Sequence, residues 1–417
     1  MGSDMIVALK EASANGTTLF GLNHHAEPDA RHSVQVNPGQ MHDPGEMLHV
    51  GLIEIPQVRQ TNSVLGLQRV GQWGFTHGIN EHRVAIGVTG WHSRLASNGT
   101  SLTGDDLVRL ALERSHKAHH AVEVLTDLLE RYGQTPATAP RDSILLIADS
   151  DEAFVLETAG RYWALLECGH TRVVTDAAMI RQDWRRLAPG LATYVIEQGW
   201  WNDDGSKIDF VRCLAEKTPI TSVASKRWGH ASLALAQQQG AIDLYFLRRM
   251  LGDHFVQNRD FLPNAKTALA SSFLVDLHAE DQPPIAWVAF GAPKVELYFP
   301  VCMQGQLPAG FGEGIPASPS IQERINNLQR LTLGNERAHL ATTIERLQAR
   351  FDQDAEEFLH KAQDYSNHGK PYLVGQFATE MMHLHVELFD KDYRRLLGME
   401  EAPRPTVPEA EEVMYFA

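Results

Sequence analysis

Short apolar segments of strand length alternate along this chain with longer segments of helical periodicity, and this order limits the folds that the chain can adopt. Segments 5–10 and 17–20 flank an Asn15-Gly16 turn and predict an antiparallel hairpin. Further strands are predicted within 48–87 and 144–168, with helices between them. The order β, α, β, α, β, α indicates an α+β protein in which layered sheets are covered by helices.

The helical segments carry recognisable end signals. Thr103 fits an N-cap, and Asp106 follows it at the spacing of a capping box. Gly133 stands where a glycine ends a helix. Beyond residue 319 nearly all of the chain reads as helix, up to a tail rich in Pro and Glu. We therefore expect a main domain over 1–318, a helical extension packed on it over 319–399, and a mobile tail over 400–417.

Composition narrows the class of function. The chain has 417 residues and a formal net charge of −15, which repels phosphate backbones and argues against nucleic-acid binding. Its three cysteines, Cys168, Cys213 and Cys302, show no metal or disulfide spacing, and we expect free thiols in a reducing compartment. Since no secretory signal and no membrane-spanning apolar run is recognised, the expected location is cytoplasmic, without a membrane partner.

No short catalytic motif is present. The sequence has no P-loop, no dinucleotide fingerprint, no GxSxG elbow and no HExxH, so an enzyme of this sequence must use residues that the fold brings together. The pairs His24-His25 and His119-His120 suggest metal ligands, but adjacent strand residues point to opposite faces and no acidic partner is well spaced. We expect neither a metal nor a cofactor.

Four separated blocks carry the strongest signal. They are 3–9 (Ser-Asp-Met-Ile-Val-Ala-Leu), 21–25 (Gly-Leu-Asn-His-His), 73–82 (Trp-Gly-Phe-Thr-His-Gly-Ile-Asn-Glu-His) and 152–160 (Glu-Ala-Phe-Val-Leu-Glu-Thr-Ala-Gly). In order and spacing they resemble the dipeptidase A/secernin family. That family typically shows Cys-Asp-Thr-x-Val-Ala-Leu, then Gly-Lys-Asn-Ser-Asp-Arg, then Trp-Gly-x-x-x-Gly-x-Asn-Glu.

The resemblance implies a four-layer αββα sandwich of the N-terminal-nucleophile (Ntn) hydrolases. In such a protein the first residue of the mature chain is the nucleophile, and its free α-amine is the base. The implied activity is hydrolysis of an amide (C–N) bond, or acyl transfer from it. The expected partners are a small-molecule or short-peptide substrate and further copies of the chain in a homo-oligomer. The charged C-terminal helices are either a solvated face or a face that contacts another subunit.

Carried over residue by residue, the resemblance names four catalytic candidates. Ser3 falls on the nucleophilic cysteine of the family. His25 falls on an aspartate that contacts the α-amine, and a neutral imidazole is able to accept the same hydrogen bond. Asn80 falls on an oxyanion donor. Asp176 falls on a second asparagine of that kind, and we expect it to contact the substrate instead.

Four further residues are candidates for binding substrate, because they lie in the same blocks: Asn23, His24, Trp73 and His77. For some of the catalytic and substrate-binding candidates, a structural role is the alternative. Trp73 also fits a core position, and Asn80 also fits a residue that stabilises a turn at a strand end.

The start of the chain departs from the family, because Met1-Gly2 precede Ser3. Three explanations stay open: the Gly2-Ser3 bond is cleaved, the chain has no free-amine nucleophile, or Met-Gly-Ser replaces a native start with cysteine. Two rival functions stay open with them. One is a non-catalytic relative that binds a ligand, and the other is non-hydrolytic chemistry with the histidines as acid and base.

Overall fold

The computed structural model describes residues 2–27, 30–95, 101–134, 142–216, 222–253, 268–278, 282–291, 297–312, 319–331 and 337–399. Within these residues the strands are, in chain order, β1 (Gly2–Ala8), β2 (Thr18–Ala26), β3 (His32–Asn37), β4 (Met47–Val50), β5 (Ile53–Pro56), β6 (Val64–Arg69), β7 (His77–Asn80), β8 (Ala85–Trp91), β9 (Asp142–Ala148), β10 (Ala153–Ala159), β11 (Tyr162–Glu167), β12 (Thr171–Val174), β13 (Arg186–Leu187), β14 (Ala268–Leu277), β15 (Ile285–Phe290) and β16 (Phe299–Cys302).

The helices of the same residues follow between and after these strands. They are α1 (Gly104–Arg114), α2 (Ala118–Tyr132), α3 (Leu191–Glu197), α4 (Phe210–Leu214), α5 (Ser222–Gln237), α6 (Leu244–Asp253), α7 (Ile321–Leu331), α8 (Arg337–Asn367) and α9 (Tyr372–Leu396).

Two large antiparallel sheets form the centre of the molecule. Sheet I has the strand order β12-β1-β2-β14-β15-β16, and sheet II has the order β13-β11-β10-β9-β8-β7-β6-β3. β4 and β5 form a separate two-stranded hairpin. The predicted N-terminal hairpin is confirmed as the β1–β2 pair, although β2 extends to Ala26 and so includes both His24 and His25.

The sheets pack face to face, and a glycine marks their closest approach. A Cβ atom at Gly87 of β8 would lie 2.4 Å from Leu22 and 2.9 Å from Met5, so only a glycine lets sheet I come this near. α1 and α2 cover the outer face of sheet II, and α5 and α6 cover the outer face of sheet I. The expected α+β fold, a four-layer αββα sandwich, is confirmed.

The C-terminal helices pack on one edge of the sandwich. α8 and α9 pair with each other, and both contact β16, the edge strand of sheet I. The ring of Phe299 in β16 meets Phe351 of α8 and Phe389 of α9 at centroid distances of 5.3 and 5.6 Å. The domain limits predicted from the sequence stay a prediction, and the tail 400–417 lies outside the described residues. No helix among the described residues is both long and apolar enough to cross a bilayer.

Candidate active site

Ser3 and His24 lie side by side on the face of sheet I that is packed against sheet II. They are opposite each other in the β1–β2 register. Alternate residues of a strand share a face, and Met5 and Leu22, two positions further along each strand, both pack against Gly87 of sheet II. Ser3 is only 2% exposed, so its hydroxyl is buried between the sheets.

The Ser3 hydroxyl has two close partners. Its oxygen lies 2.8 Å from the carbonyl oxygen of Val88 and 2.9 Å from Nδ1 of His24. A hydroxyl has one proton: it is donated to Val88 when Nδ1 of His24 carries the ring proton, and it is available to Nδ1 when the ring proton is on Nε2. The backbone N–H of Ser3 donates to the side-chain oxygen of Thr89 at 2.7 Å. Ser3 is therefore held at three points by β2 and β8.

Two more imidazoles surround His24. The ring centroid of His24 lies 5.2 Å from that of His32 on β3 and 6.2 Å from that of His77 on β7. All three side chains are buried. Nε2 of His24, Nε2 of His77 and both nitrogens of His32 have no hydrogen-bond partner among the described residues. We call these three residues the histidine chamber.

The histidine chamber is uncharged at neutral pH. Burial lowers the pKa of His24 well below its ordinary value, and the neighbouring histidines and Arg69 act in the same direction. Burial and the Arg69 guanidinium lower the pKa of His32 to about 4, and burial and His32 lower the pKa of His77 to about 3. Each neutral ring keeps one nitrogen that is able to accept a proton or a hydrogen bond.

A charged cluster occupies the opposite face of the same strands. Asp4 is fully buried and accepts a hydrogen bond from Nε of Arg227 at 3.1 Å, while its other carboxylate oxygen lies 3.3 Å from Nε2 of His25. Arg227 also donates to Asp176 at 2.6 Å. The Asp176 side chain in turn lies against Gly2, where an added Cβ would be 3.3 Å away. This cluster adjoins the backbone just before Ser3, but not the Ser3 hydroxyl.

Two of the expected catalytic residues are therefore on the other side of β1 from the Ser3 hydroxyl. His25 and Asp176 come together through Asp4 and Arg227 rather than through Ser3. The contacts expected from the sequence, His25 with an α-amine and Asp176 with substrate, stay predictions.

Asn80 is engaged in backbone bonds. Its amide nitrogen donates to the carbonyl oxygens of Leu112 and Ser115 at the end of α1, at 2.9 and 2.7 Å. Its carbonyl oxygen accepts from the backbone N–H groups of His82 and Val84, both at 3.0 Å. The side chain thus fixes the β7–β8 turn against α1, and it has no free donor for an oxyanion in this arrangement.

The expected substrate-binding residues separate into two groups. His24 and His77 lie in the histidine chamber. Asn23 faces the helix layer, where its amide donates to the Leu251 carbonyl oxygen at 2.9 Å. The ring of Trp73 lies under the guanidinium of Arg109 on α1, at 4.1 Å, outside sheet II. Binding of substrate by Asn23 or Trp73 would need surfaces that these contacts occupy.

Three residues of the site were not identified from the sequence: His32, Thr89 and Arg227. The position of His32 depends on the pairing of β3 with β6 at the edge of sheet II, which no local pattern reveals. Thr89 ends up beside Ser3 because the two sheets stack. An isolated histidine or threonine in a strand is ordinary, so neither carries a signal by itself.

The arrangement suits acid–base chemistry at one hydroxyl. A buried hydroxyl in contact with a neutral imidazole is the pairing that activates a serine nucleophile. Among the described residues, no group of three or more His, Cys, Asp or Glu side chains has an arrangement that could hold a metal ion.

A family model matches the N-terminal part of the chain. Residues 4–184 match the family described as Peptidase family C69, which confirms the resemblance to the dipeptidase A/secernin family over that part of the chain.

Solved structures of low similarity were also found. Penicillin V acylase from Agrobacterium tumefaciens is 16% identical, with 73% of this chain and 87% of that chain covered and a TM-score of 0.47. A mutant conjugated bile acid hydrolase from Clostridium perfringens is 12% identical, with 70% and 89% covered and a TM-score of 0.44. The N-acylethanolamine-hydrolyzing acid amidase ortholog of Caenorhabditis elegans is 12% identical, with 65% and 91% covered and a TM-score of 0.34. None reaches a TM-score of 0.5, so no function is transferred from them.

Proposed function

We propose that this chain, whose residues 4–184 carry the pattern of peptidase family C69, is an enzyme that hydrolyses an amide bond or transfers the acyl group from it. The substrate is a small molecule or a short peptide. Ser3 is the nucleophile: its oxygen attacks the amide carbonyl carbon, and the amine half leaves. Water or a second amine then takes the acyl group from Ser3.

One observation carries the proposal. The Ser3 hydroxyl is buried at the start of β1, one residue before the matched segment 4–184, and its oxygen lies 2.9 Å from an imidazole nitrogen. When the ring proton of His24 is on Nε2, Nδ1 is able to accept the proton of Ser3. The residue before it, Gly2, is only partly buried, so the reactive end of β1 is the end nearer to solvent.

Turnover of a substrate panel tests the proposal. Dipeptides and N-acyl amino acids are incubated with the protein, and released amines are detected by mass spectrometry. We expect wild type to release amine from at least one panel member and Ser3→Ala to lower kcat/KM by at least about 10³-fold.

A matched control separates loss of chemistry from loss of fold. Ser272→Ala removes another buried hydroxyl from the same sheet, one that contacts Tyr298 and the Leu22 carbonyl oxygen on the face away from Ser3. This variant should keep its activity per folded molecule. If wild type turns over no member of a broad panel, or Ser3→Ala is as active as wild type, the proposed function is wrong, and a non-catalytic binding role gains support.

We also propose a cytoplasmic location and a homo-oligomeric state. The three cysteines are free and buried, as expected in a reducing compartment, which supports the first. Support for the second is limited to the exposed charged faces of α8 and α9. Light scattering of the purified chain would measure its mass, and a monomer at micromolar concentration would contradict the second proposal.

A further inference from the structure

The group that touches the Ser3 oxygen is a side chain, not an amine. In a chain that keeps Gly2, the nitrogen of Ser3 is an amide nitrogen and donates its hydrogen to Thr89. An amide nitrogen has no basic lone pair, so it is unable to accept a proton from the hydroxyl. Among the described residues, Nδ1 of His24 is the only basic atom within hydrogen-bond distance of the Ser3 oxygen.

The geometry fixes this pair firmly. Ser3 and His24 are opposite each other on paired strands, and β14 pairs with β2 on its other side, with Ser271 opposite His24. His24 thus sits in a central strand of sheet I with little freedom to move. A base that is held in place by a sheet needs no reorganisation before it accepts a proton.

We propose that His24 is the general base for Ser3, so that the chain is active with residue Gly2 still attached. This inference rests on the proposed function, because it supplies the base for the same nucleophile. It replaces the free α-amine that the resemblance to Ntn hydrolases implies.

As the Ser3 oxygen bonds to the amide carbonyl carbon, its proton moves to Nδ1 of His24 and the carbonyl π electrons move onto oxygen. When the carbon–nitrogen bond breaks, the carbonyl re-forms and the proton passes from His24 to the departing nitrogen. An ester on Ser3 remains. Water attacks it, gives a proton to His24, and that proton returns to the Ser3 oxygen as the acid leaves.

The surroundings keep His24 unprotonated when substrate arrives. His32 from β3, Arg69 from β6 and His77 from β7 face it, and His25, its neighbour in the chain, lies on the opposite face of β2. Burial lowers the pKa of His24 most, and each of these four residues lowers it further. The base form of His24 therefore persists below pH 6.5. A free α-amine, in contrast, is protonated below a pKa of about 7.7–8.0. The two bases predict different pH dependences.

The rate at which a small fluorophosphonate modifies Ser3 tests the inference without a known substrate. Intact mass and peptide mapping identify the site of the adduct and show whether Gly2 is present. We expect the adduct on Ser3 of chains that retain Gly2, with a rate that stays within about threefold from pH 8 to pH 6. His24→Gln should lower this rate by at least about 10²-fold.

Two further variants separate loss of the base from a general loss of structure. His385→Gln removes another buried histidine, one that pairs with Asp354 in the C-terminal helices, and should react at the wild-type rate. His24→Ala should regain reactivity when free imidazole is added, which a misfolded protein would not do. Reaction only in chains that begin at Ser3, a His24→Gln rate equal to wild type, or no adduct on Ser3 would overturn the inference.

These outcomes are distinguishable from failure of the proposed function. If Ser3→Ala abolishes amide turnover but His24→Gln does not, Ser3 is supported as the nucleophile and His24 is not its base. If Ser3 reacts with the fluorophosphonate in a His24-dependent way but no amide is turned over, the Ser3–His24 pair is supported and the proposed substrate class is wrong.

Discussion

At the scale of single residues, the site is determined by which face of β1 and β2 each side chain occupies. Ser3 and His24 meet because of the alternation of side chains along β1 and β2 and of a register in which Ala8 is opposite Leu19. A two-residue turn at Asn15-Gly16 does not give this register, and the family resemblance predicted His25 rather than His24 beside Ser3. The same alternation places His25 on the opposite face, with Asp4 and Arg227. The resemblance of the sequence blocks did not show which of His24 and His25 contacts the Ser3 hydroxyl.

Asn80 provides a prediction at this scale. Asn80→Ala leaves four backbone groups near the β7–β8 turn without their side-chain partner, so we expect the free energy of unfolding to fall by about 2 kcal/mol. The kcat/KM of the folded fraction should change by less than about threefold. Chemical denaturation and steady-state kinetics measure both quantities. A fall of 10²–10³-fold in kcat would instead support the oxyanion role expected from the sequence.

At the scale of elements, the sequence was sufficient to predict a helix end when the residues that form the cap are only a few positions apart. The capping box of α1 is present, with Thr103 and Asp106 bonded to each other's backbone N–H. Gly133 ends α2 with a φ of 71°, and its N–H donates to the Leu129 carbonyl oxygen. The histidine chamber was not predictable, because it depends on β2, β3 and β7, which meet only after two sheets form and stack.

The histidine chamber makes stability depend on pH. His32 and His77 have folded-state pKa values of about 4 and about 3, below the ordinary value of 6.5 for an unfolded chain. Between these limits the unfolded state binds protons that the folded state does not, so stability is lost as the pH falls from about 6.5. Each residue should contribute up to about 3 kcal/mol to this loss by pH 4.

Urea denaturation at pH 7.5 and pH 4.5 measures this effect. His32→Gln and His77→Gln should each reduce the difference in unfolding free energy between the two pH values. The exposed His49 serves as the control, since His49→Gln should leave the difference unchanged. If wild type and both variants lose the same free energy of unfolding between pH 7.5 and pH 4.5, the account is contradicted.

Glu157 on β10 should act in the opposite direction. Its buried carboxylate accepts the N–H groups of Met179 and Ile180, and burial raises its pKa from 4.5 to about 7. The folded state therefore favours the protonated form, and stability is lost as the pH rises from about 4.5 to 7. Glu157→Gln removes this dependence, so its unfolding free energy relative to wild type should increase by up to about 3 kcal/mol between pH 5 and pH 8. Thermal or urea unfolding at the two pH values measures it, and a constant difference would contradict the assignment.

At the scale of the whole molecule, the order of predicted elements indicated layered sheets covered by helices but not the strand order. The four-layer αββα arrangement was implied by the resemblance to the Ntn hydrolases. That β14, β15 and β16 join β1 and β2 in sheet I depends on contacts between residues more than 200 positions apart, such as Ser272 with Asn23. Such pairings are set by tertiary packing and leave no local sequence pattern.

Phe299 packs between the C-terminal helices and the sandwich, which leads to a prediction about stability. Its ring is fully buried against Phe311, Phe351 and Phe389. Phe299→Ala should lower the free energy of unfolding by about 3–5 kcal/mol. Leu233→Ala, at a position that is 58% exposed, should change it by less than about 0.5 kcal/mol. Equal effects of the two substitutions in urea denaturation would show that α8 and α9 contribute little to the core.

Capture of the acylated protein tests the central claim, that Ser3 attacks an amide carbonyl, most directly. Wild type is mixed with an N-acyl substrate that it turns over, quenched in acid within milliseconds, digested and examined by mass spectrometry. The account predicts the mass of the acyl group on the N-terminal peptide at Ser3, and its absence in Ser3→Ala. Full turnover by Ser3→Ala, with no acyl mass on this peptide in wild type, would contradict it.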